Sequence, residues 1–252
     1  MPLVKTAAIV LKSRKWGEAD RIVTFYSQDL GKIRGIARGA RRQKSRFGAA
    51  LEPFTLCQLN LFEKIGDSLL RISHVDLVEP FQPLREDLTL MASAARMANV
   101  VAAVTPDGDP DPRLFNTLEQ GLASLSRTED PTYTALLFQI RLLGLTGFRP
   151  QTDYCAACGK SKLTGAPQFS PMAGGLVCAI CAARQSAHCV GLSRGSLLFL
   201  QQALRLAPAL VTRLRATGQV RTEVEEAIEG YVTVVAGRKL PPADFLAPVL
   251  SI

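Results

Sequence analysis

Two histidines, one tryptophan and an aromatic share of 6% are all that the 252 residues hold of those side chains. His74 and His188 lie far apart, with no Ser or Asp arrangement around either, so a hydrolytic triad is not expected. No Walker loop, no G-x-G-x-x-G and no H-E-x-x-H motif occurs, which leaves the phosphate-, dinucleotide- and zinc-protease chemistries without a foothold. Glu225-Glu226 reads as the solvated face of a helix. An enzyme is therefore not expected. No apolar run approaches the ~18 residues needed to cross a bilayer. Met1–Val10 has one Lys and too short an apolar stretch for a secretory signal, so a cytoplasmic protein with no membrane partner is expected, its cysteines reduced. With so few aromatics, stacking platforms for bases are scarce, and backbone binding with weak sequence preference is favoured over base reading. Internal repeats and low-complexity segments are also missing.

Negative charge is missing too, and in one place. Between Lys32 and Arg46 the chain carries Lys32, Arg34, Arg38, Arg41, Arg42, Lys44 and Arg46 without one Asp or Glu. The first fifty residues hold twelve Lys or Arg against three Asp or Glu, a net +9, whereas the whole chain is +8. All of the excess positive charge thus sits in one N-terminal module, the electrostatic footprint of a polyanion binder. A solvated charged face is the ordinary alternative for a basic run, but these residues cluster on Gly-punctuated backbone without acidic partners. Arg38, Arg41, Arg42, Lys44 and Arg46 lead as phosphate ligands, with Lys32 and Arg34 on a preceding strand. For base stacking the candidates are Trp16, Phe25, Tyr26 and Phe47. Trp16 is the best exposed of these, whereas Phe25 or Tyr26 must face a core because strand neighbours alternate sides.

Along the chain, 3–12, 21–27, 32–38, 54–64 and 68–78 read as strands, rich in β-branched and aromatic residues. Ser13–Asp20 reads as a polar loop. Ser27–Gly31 reads as a turn in which Asp29 bonds its own backbone and Gly31 supplies positive φ, and Ile65-Gly66-Asp67 marks another. Five short strands joined by hairpins suggest a small closed barrel of the oligonucleotide-binding (OB) kind, with an SH3-like barrel and an open sheet as competing readings. Past Pro80 the period changes from two to 3.6. Leu84–Val104 reads as a helix burying Leu84, Leu88, Met91, Ala95 and Ala98. Further helices are expected over 113–126, from Pro131 to Leu145, from an N-cap at Ser193, and over 221–236 with Val224, Ile228, Tyr231 and Val235 inward. Leu240–Ile252 reads as irregular.

Cys155, Cys158, Cys178 and Cys181 form C-x2-C-x19-C-x2-C, the spacing of a structural zinc site. Each C-x2-C turn points two thiolates at one ion, and four thiolates close the tetrahedron, so the single Zn²⁺ has no open position for catalysis. Gly159 relaxes the first turn and Gly174-Gly175 lets the chain reverse. His188 and Cys189 are not needed as ligands, and Cys57 reads as a small buried hydrophobe. Without metal the insert is expected to be disordered.

The runs WGEADRIVT (16–24), DLGKIRGIARGARR (29–42), KSRF (44–47), LEPF (51–54) and LLGLTGFRP (142–150), in that order ahead of the cysteines, resemble the RecO family of bacterial recombination mediators from end to end. The resemblance implies an α+β protein: an N-terminal OB-fold β-barrel over 1–80, then a mostly α-helical domain in two parts, 81–149 and 190–252, with a four-cysteine zinc module inserted at 150–189. It also implies binding to single- and double-stranded DNA, annealing of complementary strands, and partnership with RecR and the single-strand-binding protein. Together these help load RecA onto DNA, in a cytoplasmic, nucleoid-associated setting. Two rival readings follow from the residues alone: an RNA-binding zinc-ribbon translation or ribosome-assembly factor, and a thiol–disulfide enzyme built on the C-x-x-C pairs.

Overall fold

The first strand does the work of two. β1 (Leu3–Trp16) pairs antiparallel with β4 (Leu56–Phe62) over its first half and with β2 (Asp20–Ser27) over its second. The register shifts at a bulge between Val10 and Lys12, and such a bulge supplies the bend that a small closed barrel demands. β2 returns as β3 (Gly31–Ala37), and β4 returns as β5 (Leu70–Glu79). A short parallel pairing of Gly35 and Ile36 with Leu70 and Arg71 then closes the barrel in the order β1-β2-β3-β5-β4. That is the five-stranded OB barrel, not an SH3-like barrel or an open sheet. Alternate residues fill it: Ala8 and Val10, Val23 and Phe25, Ile33 and Ala37, Cys57, Leu59 and Leu61. Phe47, Ala50 and Leu51 join them from the β3–β4 connection.

The computed structural model describes residues 3–62, 69–161, 165–185, 188–206 and 214–240. The turn predicted at Ile65-Gly66-Asp67 and the tail beyond Leu240 lie outside them. Among the described residues no helix is long and apolar enough to cross a membrane. They divide into two compact units, one up to Ala135 and the other Leu136–Leu240.

Two loop expectations are corrected. Ser13–Trp16 is strand, not loop: the β1–β2 hairpin runs on to Trp16 opposite Asp20 and turns only at residues 17–19. In the next turn Asp29 does not bond its own backbone. Its carboxylate accepts the Thr6 hydroxyl at 2.7 Å, and Ser27 Oγ caps the turn by accepting from the Leu30 N–H at 3.0 Å. Gly31 is required twice over, by its φ of +64° and because a Cβ there would lie 2.2 Å from the Asp109 carbonyl oxygen.

After a 3-10 turn at Gln82–Arg85, the first unit continues with α1 (Leu88–Val104), capped by Asp87, and α2 (Pro112–Leu125), capped by Asp111. The apolar face expected on α1 is right in part. Leu84, in the preceding 3-10 turn, and Ala98 are buried, but Leu88 is exposed and Met91 and Ala95 are half-buried. Ala92, Ala94, Met97, Val100, Val101 and Val104 are buried as well. A helix covered nearly all round carries no phase in its hydropathy. α3 (Pro131–Leu145) starts and stops where the sequence places it.

The second unit holds a small sheet in the order β7 (Gly175–Val177), β6 (Gln168–Ser170), β8 (Val190–Gly191), with α4 (Ala179–Ala183) beside it. α5 (Arg194–Arg205) does start at an N-cap Ser193, and it buries Ser196, Phe199, Leu200 and Ala203. α6 (Gly218–Val235) buries Val224, Ile228 and Tyr231 as expected, with Val232 in place of Val235. The Tyr231 ring meets Phe169 of β6 edge-on, centroids 5.9 Å apart, which ties the small sheet to this helix.

Candidate nucleic-acid interface and metal centre

The basic stretch divides into two halves with different fates. On β3, Lys32 turns toward the end of α1. Its ammonium donates to the carbonyls of Ala102 at 2.9 Å and Thr105 at 2.5 Å, and it pairs with Asp107 at 3.2 Å. These are carbonyls that a helix C-terminus leaves without intrahelical partners, where a cation is favoured by the dipole. Arg34 reaches the same Asp107 carboxylate at 3.1 Å. The Gly108 N–H bonds the Lys32 carbonyl at 2.9 Å, and the Asp111 N–H donates to the Tyr26 hydroxyl at 3.2 Å. The acidic, Pro-bearing segment after α1 therefore lies along the β2–β3 hairpin and masks its strand charges. Lys32 acts here as a helix cap. Lys32→Met is expected to lower stability by ~1–3 kcal/mol, the cost of stranding part-buried carbonyls, read as a fall in the denaturation midpoint.

The loop half is different. Arg38, Arg41, Arg42, Lys44 and Arg46 are exposed, and among the described residues none has a carboxylate partner. The backbone beneath them is pinned at several points. The Gly39 N–H donates to Asp20 Oδ1 at 2.8 Å, the Arg41 N–H to the Ala19 carbonyl at 2.9 Å, and Phe47 sits in the barrel core. The Arg41 guanidinium also donates to the carbonyls of Gly17 and Glu18, at 3.2 and 2.9 Å. Arg46 lies over the buried Phe47 ring, 5.0 Å from its centroid. Elsewhere in the module Arg21 is consumed by Glu52, 3.1 Å away, and by Ser13 Oγ.

Three of the four stacking candidates are buried. Phe25 and Phe47 belong to the barrel core, and Tyr26, on the opposite side of β2 from Phe25, is covered by the segment that carries Asp111. Trp16 is 51% exposed at the end of β1, with the Arg14 guanidinium 5.9 Å over its ring.

In the second unit, the ligand atoms of Cys155, Cys158, Cys178 and Cys181 all lie within 4.8 Å of one another. The folding that brings them together is local. Gln151 bridges Gly175 in parallel, with the Gln151 N–H on the Gly174 carbonyl at 2.9 Å and the Leu176 N–H on the Gln151 carbonyl at 2.8 Å. A Cβ on Gly175 would lie 2.3 Å from that Gln151 oxygen, so only glycine admits the approach. The Ala156 N–H then bonds the Leu176 carbonyl at 2.7 Å, which lays the first knuckle along β7 just before Cys178. α4 starts directly after Cys178 and carries Cys181.

The donor set fits a tetrahedral metal. The Sγ atoms of Cys158 and Cys178 are 4.0 Å apart, close to the ~3.8 Å edge of a tetrahedron with 2.3 Å metal–sulfur bonds. Burial pushes the Cys155 thiol up, yet N–H groups of Cys178, Cys158 and Ala157 outweigh it and hold the thiol at about 6. Cys178 is lowered chiefly by the Cys181 N–H. Cys181 goes the other way, pushed up to about 12 by its side-chain hydrogen bond to Cys178, by burial and by the other cysteines. Thiolate charge already crowds the cluster, and full ionisation needs a cation among the sulfurs. Neither neighbour joins the set: His188 pairs with Glu226 at 3.1 Å, and Cys189 Sγ faces Gln185 at 3.6 Å. Cys57, in the barrel, is buried with its thiol pushed up to about 12, an inert core residue.

Comparison with known proteins bears on both units. The family model for the recombination protein O N-terminal domain matches residues 1–81, and that for the recombination protein O C-terminal domain matches residues 85–242. The protein called DNA repair protein RecO in Symbiobacterium thermophilum is 31% identical, over 100% of this chain and 99% of its own. That of Myxococcus xanthus is 34% identical over 96% of each. That of Syntrophobacter fumaroxidans is 34% identical over 85% of each.

Proposed function

The chain belongs to the RecO family of DNA repair proteins, and from that premise we propose that its barrel grips DNA by the sugar-phosphate backbone. The observation that carries the reading is the β3–β4 loop, whose exposed cations stand on pinned backbone with no carboxylate neighbour among the described residues. A preorganised cation row neutralises phosphates and releases their counterions whatever the base order, so both single and double strands are ligands. Annealing follows if such a row screens the repulsion between two complementary strands without melting duplex. On this reading residues 1–80 are the nucleic-acid module, and Arg38, Arg42, Lys44 and Arg46 are its phosphate ligands. The helical parts, 81–149 and 190–252, meet RecR and the single-strand-binding protein, and RecA benefits indirectly. The work is binding and not catalysis, carried out in the cytoplasm at the nucleoid.

The metal belongs to the same proposal. One Zn²⁺, held by Cys155, Cys158, Cys178 and Cys181, supplies cross-linking of the 150–189 module and no reaction chemistry, since four thiolates leave no open position. A thiol–disulfide enzyme would instead use one accessible low-pKa thiol of a single C-x-x-C, whereas the lowered thiols here face one another across a four-sulfur cluster.

A salt titration of binding to matched single-stranded DNA, duplex DNA and RNA tests the reading. Single-strand affinity is expected to fall with a log–log slope of about −3, from four phosphate contacts at about −0.7 each. A flat salt dependence, or a strong preference for RNA as a zinc-ribbon translation factor would show, defeats it.

A further inference from the structure

The β1–β2 hairpin stands out as a feature that a phosphate row does not explain. Past the bulge, Trp16 ends the arm half exposed, although it is the only tryptophan in the chain and lies in a protein poor in aromatics. Lys12, Arg14 and Trp16 share one side of β1 by strand alternation. The Arg14 guanidinium lies 5.9 Å over the Trp16 ring, which orients the ring through a cation–π contact without burying it. An exposed indole beside a cation is costly apolar surface in water and suitable surface for an unpaired base.

The arm is also joined to the phosphate loop by specific bonds. The cross-strand partner of Trp16 is Asp20, and Asp20 Oδ1 accepts the Gly39 N–H at 2.8 Å. Arg41 grips the turn itself, its backbone N–H on Ala19 and its guanidinium on the carbonyls of Gly17 and Glu18. Arg41 thus differs from the other loop cations in turning its head toward protein carbonyls. It fixes the spacing between indole and phosphate ligands.

We propose that Trp16, with Arg14 beside it, is a stacking subsite for an unpaired base of single-stranded nucleic acid, and that Arg41 is the positioning residue that holds this subsite in register with the phosphate row. This deepens the DNA-binding reading and rests on it. The consequence is discrimination by pairing state. Duplex offers the loop its phosphates but keeps its bases stacked inside, so only a single strand engages both parts.

Because Trp16 is the sole tryptophan, its emission reports the subsite directly in the full-length protein. Titration with oligo(dT) is expected to quench and shift that emission, while duplex of equal length and inorganic polyphosphate bind without doing so. Trp16→Ala should weaken oligo(dT) binding about 5- to 150-fold, the range for one lost base stack, with duplex affinity unchanged and Trp16→Phe retaining most of the affinity. Arg41→Ala and Arg41→Lys should remove the quench yet leave the salt slope intact. Oligo(dT) that binds by anisotropy with unaltered emission would overturn the stacking subsite and leave the phosphate reading standing. Absence of any DNA binding would remove both. Equal losses for single strand and duplex in Trp16→Ala would overturn the discrimination, and a slope shallower by about 0.7 in Arg41→Ala would make Arg41 a phosphate ligand instead.

Discussion

Cys155→Ser is expected to release the bound zinc and unfold the metal-held part of the second unit while leaving single-strand DNA affinity as it was. Around the sulfurs one buried cluster of the described residues joins Cys155, Val177 and Cys178, with Ala173, Cys181, Ala182 and Cys189 against it. Two of these three are proposed ligands, so the cluster keeps little apolar burial of its own once the sulfurs are released. Structural zinc in small peptides is worth about 10–16 kcal/mol at neutral pH, comparable to the entire ~5–15 kcal/mol stability of a typical domain. A cluster of this size around the sulfurs cannot substitute for it. The unfolding should not be uniform. β6 is anchored on α6 by Phe169 against Tyr231, whereas the knuckles depend on the sulfurs. Limited proteolysis should therefore open 151–161 and 178–185 first, and metal analysis should show one equivalent lost. A chelator should do the same to the unmutated protein, and acid should as well, since the ligands bind only as thiolates. Protease resistance equal to the parent, with zinc gone, would mean that packing alone holds the knuckles.

The cluster is legible in the chain because its determinants are local: two C-x-x-C turns and a pair of glycines fix the geometry whatever lies elsewhere. The barrel is legible for a related reason, since alternation along each strand records which side faces the core, and Val23, Phe25, Leu59 and Leu61 all lie where period two puts them. What the chain conceals depends on distant partners. Nothing near Lys32 indicates that its ammonium will close a helix ending seventy residues later, nor that Asp107 will cover Arg34. The sequence ranks Lys32 behind Arg38 only by its place on a strand. Only the fold separates a cap from an exposed cation. Ser13–Trp16 reads as loop because a hairpin arm wetted on both sides needs no apolar alternation. The α1 face is right only in part for the opposite reason, as a helix apolar nearly all round gives periodicity little to record. Asp29 and Ser27 compete for one turn, and Thr6, twenty-three residues earlier, draws the carboxylate away.

Reversing Arg38, Arg42, Lys44 and Arg46 to Glu together is expected to abolish DNA binding at physiological salt while the zinc stays in place. Arg41 is left out of the set because its bonds to Gly17 and Glu18 hold the loop in shape; Lys32 and Arg34 are left out because Asp107 already answers them. Counterion release sets the scale. Four single-strand phosphate contacts at about −0.7 per decade give nearly three decades of affinity between 1 M and 0.1 M salt. Replacing the four by Gln should therefore cost several hundred-fold at 0.1 M and flatten the salt slope by about 3, and Glu should cost more through repulsion. The side chains are exposed and, among the described residues, bridge no carboxylate, so thermal stability should hardly change. Location is separable from net charge. Reversing the exposed Arg184, Arg194 and Arg238 removes six units of charge outside the barrel and should leave affinity within a few-fold if direct phosphate contacts and not net charge hold the DNA. If both sets weakened binding alike, a diffuse cationic field and not a built row would be holding the DNA; if neither did, the phosphates would lie on another surface altogether.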